Sequence, residues 1–262
     1  MSATPSSHKL RLVYAIGLSV VLIGLVLILN TPLQATDFLD RIIDINPGTA
    51  SSFPKYLTVY DGQVFFAADD GTHGKELYAY DGISATLIAD IQPGSNGGDP
   101  RNLIRADGHL FFSATDPGYG RELWTYDGVT VTRVSDINPG TADGVSYQAP
   151  VVYDGNLYFA GKESIHGTEL WRYDGVTVTR VSDLNLGSAS GSPDEMTVYC
   201  DALYFQATHP MYGQALWRYD GITTTVVISY PSVTNADPHG LVVYDDKLLF
   251  MFKDAATYPN YG

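Results

Sequence analysis

Three glutamates recur at one position of a repeated motif. They are Glu76, Glu122 and Glu169, and Trp124 and Trp171 stand two residues after the second and third. Glycoside hydrolysis needs two carboxyl groups held ~5–10 Å apart. Equivalent positions on separate repeat units stand further apart than that, and Ala215 interrupts the series in the fourth unit, so a structural acceptor role is expected. Trp124, Trp171 and Trp217 each precede a Tyr by two residues. In a strand that places both rings on one side, which suits packing between layers better than an exposed sugar platform.

Other acids cluster in the segments between strands, among them Asp69, Asp70, Asp116 and Glu163. Calcium takes six to eight oxygen ligands and is the ion such acids would hold. However, the recurring Asp-x-Asn-Pro-Gly lacks the further oxygen ligands and distal Glu of a calcium loop. Asp and Asn bonding their own backbone, with Pro-Gly making the turn, account for each of its residues. No cofactor is implied, and calcium remains the one ion to test. His73 and His166 occupy a slot filled by Tyr119 and Tyr212 in the other units. A zinc ligand or catalytic imidazole does not exchange so freely with a phenol, so a packing role for a flat ring is expected. His109, His209 and His239 have no matching partners, and no G-x-S-x-G elbow, H-E-x-x-H or phosphate loop is present.

The whole composition narrows the ligand classes. The 262 residues carry 15 basic and 29 acidic side chains, a net charge of −14, which excludes the basic footprint that nucleic acid requires. A single cysteine, Cys200, excludes an internal disulfide framework or a multi-cysteine metal site.

The elements that would position these residues follow from a tandem repeat. Asp61, Asp107, Asp154, Cys200 and Asp245 each follow an apolar run, at spacings of 46, 47, 46 and 45 residues. A second series reads Tyr80-Asp81-Gly82, Tyr126-Asp127-Gly128, Tyr173-Asp174-Gly175 and Tyr219-Asp220-Gly221. A third begins at Asp44, Asp90, Asp136 and Asp183. Asp-Gly between apolar runs signals a two-residue type I′ hairpin turn, and each unit resolves into four strands, a to d. Strand b is apolar at consecutive positions, as in Val64-Phe65-Phe66, and must therefore be covered on both faces. A four-stranded meander of ~45 residues with its middle strand doubly covered is a β-propeller blade. The expected fold is all-β: a propeller of about five blades in the repeat domain 39–262. The repeats fall near 56–92, 102–138, 149–185, 196–230 and 241–262. The last is split or incomplete, with an N-terminal d strand at 39–45 as the piece that would complete it.

The motif Glu-Leu-Trp-x-Tyr-Asp-Gly at 122–128 and 169–175 resembles the repeat of the bacterial ELWxxDGT family, propeller-like modules of exported proteins. The resemblance spans about residues 39–252 and implies a fold and an exported setting, with no single activity or active site. The chain departs from it at the final Thr, which is Ile83, Val129, Val176 or Ile222 here. It departs again at Tyr78 for Trp and at Ala215 for Glu.

Leu12 to Leu29 carries no charge. As a helix it spans ~27 Å, close to the ~30 Å hydrocarbon core. His8, Lys9 and Arg11 precede it, which places residues 1–11 in the cytoplasm and everything past the linker 30–38 outside. It reads as a transmembrane anchor or as a cleaved signal segment, with Ala35 near a cleavage site. The protein is thus expected at the cell membrane with its C-terminal domain outside, or secreted. In an a–b–c–d meander the b–c and d–a loops share one face, and that face is acidic. The candidate ligand-binding residues are Asp69, Asp70, Asp116, Glu163, His73 and His166, and the expected partner is a surface protein or glycan. A polysaccharide hydrolase or lyase on the same scaffold is the alternative.

Overall fold

The computed structural model describes residues 43–228 and 236–252. The cytoplasmic stretch, the transmembrane or signal segment, the linker and residues 39–42 of the N-terminal d strand lie outside the described residues. Ile43–Ile45 belong to no strand. Among the described residues no helix is long and apolar enough to cross a membrane.

The described chain is all-β. Strands β1 (Lys55–Tyr60), β2 (Gln63–Asp69), β3 (Lys75–Tyr80) and β4 (Ala85–Ala89) form the first antiparallel sheet. The second holds β5 (Arg101–Ala106), β6 (His109–Asp116), β7 (Gly120–Tyr126) and β8 (Val131–Arg133). The third holds β9 (Val151–Tyr153), β10 (Asn156–Glu163), β11 (Gly167–Tyr173) and β12 (Val178–Arg180). The fourth comprises β13 (Asp194–Tyr199), β14 (Ala202–His209), β15 (Gly213–Tyr219) and β16 (Thr224–Ile228). A two-stranded sheet, β17 (His239–Tyr244) with β18 (Lys247–Met251), follows. Each four-stranded sheet is a meander in sequence order, as the four-strand repeat requires.

The doubly apolar b strands explain how the sheets stack. Phe65 and Leu77 of the first sheet meet Leu110 and Phe112 of the second. Phe111 and Leu123 of the second meet Leu157 and Phe159 of the third, and Tyr158 and Leu170 of the third meet Leu203 and Phe205 of the fourth. Adjacent residues of β6, Phe111 and Phe112, thus serve opposite neighbours, because successive side chains of a strand point to opposite faces. Each such fully buried ring or leucine contributes ~1.5–3 kcal/mol. The recurring Asp-x-Asn-Pro-Gly segment supplies a further apolar contact. Ile91, Ile137 and Leu184 join the three inter-sheet cores, and Ile45 packs on Phe66 and Tyr78 of the first sheet.

The two Asp-Gly series make different turns, which corrects the single assignment drawn from sequence. At the a–b turns both central residues have positive φ, as at Asp61 (46°) and Gly62 (74°), the type I′ geometry. Cys200 and Asp201 reproduce it at 44° and 54° without glycine. At the c–d turns the Gly has positive φ and the Asp does not. There the Asp side chain folds the turn: Asp127 Oδ1 accepts from the Val129 and Thr130 amides at 2.8 and 2.7 Å, and Asp81, Asp174 and Asp220 repeat the arrangement. A side chain that bonds its own backbone two residues on is an Asx-turn, available to Asp at ordinary φ.

Candidate functional site

Each position of the Glu-Leu-Trp-x-Tyr-Asp-Gly motif has a separate task. Leu77, Leu123, Leu170 and Leu216 are buried in the sheets. The Trp124 and Trp217 indoles donate to the carbonyls of Ala114 and Ala207 on strand b at 3.1 and 3.2 Å, and both rings join inter-sheet cores rather than an open platform. The Tyr126, Tyr173 and Tyr219 hydroxyls donate to the carbonyls of Gly128, Gly175 and Gly221, two residues on, at 2.9, 2.8 and 2.7 Å. The next position, Ile83, Val129, Val176 and Ile222, is 85–87% exposed, so nothing in the fold demands a threonine there.

The glutamate is the motif's structural centre. Glu76, Glu122 and Glu169 are fully buried. Glu76 accepts from the backbone amides of Ile91, Gln92 and Gly98 at 3.0, 3.0 and 2.7 Å. Glu169 accepts from Leu184, Asn185 and Gly191 at 3.0, 3.3 and 2.9 Å, and Glu122 from the Ser135 hydroxyl and the Ile137 amide. All these donors lie between strand d and the next strand a, so each carboxylate latches its own d–a loop. Burial pushes the carboxyl pKa of all three upward, against the pull of those hydrogen bonds. The expectation of structural acceptors holds. A signal for it lies in the sequence: a glycine 22 residues after each Glu (Gly98, Gly144, Gly191), where a Cβ would press on the carboxylate.

The latched d–a loop runs beside the start of strand c, with the Asp99 amide donating to the Lys75 carbonyl and the Ser192 amide to Thr168. The b–c and d–a loops of a unit therefore meet on one face. On that face Asp70 Oδ1 accepts from the Thr72 and His73 amides, and Asp70 Oδ2 lies 2.7 Å from His73 Nδ1. Partial burial raises the Asp70 carboxyl pKa, but the hydrogen bonds from His73 and Thr72 outweigh it and hold the group well below the usual carboxylate range. The same bond raises the His73 imidazole above its ordinary value. Glu163 Oε1 lies 2.6 Å from His166 Nδ1, and Arg180 approaches it at 3.6 Å. Asp69 and Asp116 each cap a turn, accepting from Gly71 and Gly118 at 2.8 and 2.7 Å.

The structure thus joins four of the six predicted residues in two pairs, Asp70 with His73 and Glu163 with His166, and leaves Asp69 and Asp116 to cap turns. Among the described residues no group of three or more His, Cys, Asp or Glu is placed to hold a metal ion. Each histidine is hydrogen-bonded to an acid three residues earlier, a sharper role than shared packing of a flat ring. The Tyr residues in their slot do something else: the Arg133 guanidinium lies over Tyr119, and Tyr212 stacks on His209 at 4.8 Å. His209 consequently has equivalents after all, in Asp70, Asp116 and Glu163. It escapes notice in the sequence because the position changes from acid to imidazole.

A second cluster leaves no repeat signature. Asp99 pairs with Arg101 at 2.7 Å and with the buried Arg121 at 3.2 Å, and both guanidiniums lie over the Tyr147 ring. Asp183 pairs with Arg180 at 3.5 Å. The loop face is therefore less anionic than its acid count suggests, since Asp99 and Asp183 are compensated on site.

No protein-family model matches the chain, and no curated protein matches it. Among solved structures it is similar to the β-propeller domain of the trilobed protease from Pyrococcus furiosus, at 12% identity and a TM-score of 0.48. That match covers 68% of this chain and 52% of that one. It is similar also to the Pyrococcus horikoshii acylaminoacyl peptidase (12%, TM-score 0.48, 76% and 32%) and to a puromycin hydrolase (14%, TM-score 0.49, 77% and 33%). The chain spans about half or less of the length of these proteins, and likenesses of this degree carry no argument about activity.

Proposed function

We propose that this protein is a non-enzymatic interaction module: a β-propeller of about five blades, of the ELWxxDGT-repeat type, carried outside the cell by its N-terminal segment. It binds a surface protein or glycan through its loop face. One observation carries this reading. The frame of that face is held in three units by a buried glutamate, through three amides at Glu76 and Glu169 and through Ser135 and Ile137 at Glu122, while the loop tips differ: Asp70 with His73, Asp116 with Tyr119, Glu163 with His166 and His209 with Tyr212. Variable tips on a rigid scaffold are the usual build of a binding surface. The N-terminal segment supplies the membrane attachment or the export signal, and the net charge of −14 sets the face against nucleic acid.

The hydrolase or lyase alternative draws no support from the carboxylates. The three with raised pKa are buried and bound to their own loops rather than open to a substrate. The test is retention of the purified full chain on a glycan panel and on immobilised cell-surface extracts, compared with a variant carrying Asp70→Lys, Asp116→Lys and Glu163→Lys. Retention of the wild type and its loss in the variant is the expected result. Equal behaviour of the two proteins contradicts the proposal.

A further inference from the structure

The face opposite the loops carries a gap in an otherwise regular series. At the end of strand a stand Tyr60, Ala106, Tyr153, Tyr199 and Tyr244. Three of these tyrosines reach across to the following sheet, where the hydroxyl donates to an a–b turn carbonyl. Tyr60 bonds Gly108 at 2.9 Å, Tyr153 bonds Asp201 at 2.8 Å and Tyr199 bonds Asp246 at 2.8 Å. The rings sit against an aromatic pair, Phe65 and Tyr126 for Tyr60, Tyr158 and Tyr219 for Tyr153.

Between the second and third sheets Ala106 leaves this arrangement without its ring. The aromatic pair is in place, Phe111 and Tyr173 at 5.7 Å. So is the a–b turn, with Gly155 where Gly108 and Asp201 stand in the neighbouring junctions. In place of the tyrosine there is a cleft of about 110 Å³, lined by Ala106, Phe111, Thr125, Gly155 and Tyr173 together with the polar residues Asp107, His109 and Asp174. An engineered apolar cavity of ~150 Å³ takes benzene, so the space is of the size of one ring. Thr125 Oγ1, in the same wall, is buried without a hydrogen-bond partner among the described residues.

We propose that this cleft is a binding site for a phenol ring, packed against the Phe111–Tyr173 pair with its hydroxyl donating to the Gly155 carbonyl. The neighbouring junctions supply the template, because the same protein fills the same position with its own phenol twice over. The ring comes from a free small phenol or from a tyrosine side chain of a partner chain. The site lies on the face opposite the loops and is independent of the binding assigned to them.

The experiment titrates the full-length protein with p-cresol, toluene and N-acetyl-tyrosinamide by calorimetry. p-Cresol is expected to bind at one site per chain, and toluene about three- to tenfold more weakly for want of the hydroxyl bond. N-acetyl-tyrosinamide binding as tightly as p-cresol assigns the site to a partner's tyrosine; binding only of p-cresol assigns it to small phenols. Ala106→Tyr should abolish binding and raise the melting midpoint by about 2–4 °C. Ala106→Phe should abolish binding with a smaller rise. p-Cresol binding to A106Y as it does to the wild type, no p-cresol binding at all, or a lowered midpoint in A106Y overturns the proposal.

Discussion

The two faces of this molecule are held by opposite means. On the loop face a buried glutamate ties a loop to its own sheet, as Glu169 does with Leu184, Asn185 and Gly191. On the turn face a tyrosine ties one sheet to the next, as Tyr153 does with Asp201. The first device leaves each unit free to change its loop tips without disturbing a neighbour. The second makes neighbours depend on each other, so that one substitution, Ala106, opens a cleft between two sheets.

The largest effect should come from the latch. Glu169→Ala strips three amides of their acceptor, and at ~1–3 kcal/mol for each orphaned group the expected loss is about 3–9 kcal/mol, read by chemical denaturation. Next comes the c–d turn. Asp174→Ala removes the acceptor of the Val176 and Thr177 amides at 3.0 and 2.8 Å and should cost about 1–2 kcal/mol. Tyr153→Phe deletes one hydroxyl bond between sheets and should cost about 0.5–1.5 kcal/mol, while Tyr126→Phe, whose bond stays within its own turn, should cost less. If the within-sheet change proves the costlier, the division of labour between the faces is wrong.

The pH response follows from the same division. The buried glutamates have pKa values above the ordinary 4.5, so the folded chain keeps protons that the unfolded chain releases. Their contribution to stability is therefore fully present below pH 4.5 and falls as pH rises through the folded-state values. Asp81, Asp127, Asp174 and Asp220 are lowered from 3.8 by the turn amides they accept from, so their contribution is lost as pH falls below 3.8. Thermal melts should accordingly show maximum stability near pH 4–5, and a maximum well above neutrality contradicts the assignment. At the loop tips the effect is smaller. Asp70→Asn should return the raised His73 titration, followed by NMR, toward its ordinary value with little change in melting. A chelator should leave the melting midpoint unchanged, whereas a drop would establish a stabilising calcium ion.

Much of the fold was legible because the repeat wrote it several times. The doubly apolar b strand required cover on both faces, and Phe111 and Phe112 serve two neighbours as that pattern demands. The two Asp-Gly series look like one turn in the sequence because a dipeptide does not reveal whether its Asp folds the chain with its backbone or its side chain. The sequence shows the latch only as an acceptor, since most of its donors are backbone amides 15 to 22 residues on, marked by no more than a recurring glycine. The Asp99–Arg101–Arg121 cluster is hidden for the opposite reason: it occurs in a single unit, so the repeat carries no trace of it.

The most direct test sets the two faces against each other at equal change of charge. Asp70→Asn, Asp116→Asn and Glu163→Gln remove three negative charges from the loop face. Ile83→Lys, Val129→Lys and Val176→Lys add three positive charges at exposed positions of the turn face. Retention of the full chain on surface extracts and glycans should be lost in the first variant and kept in the second. Loss in the second with retention in the first would contradict a binding surface built from the latched loops.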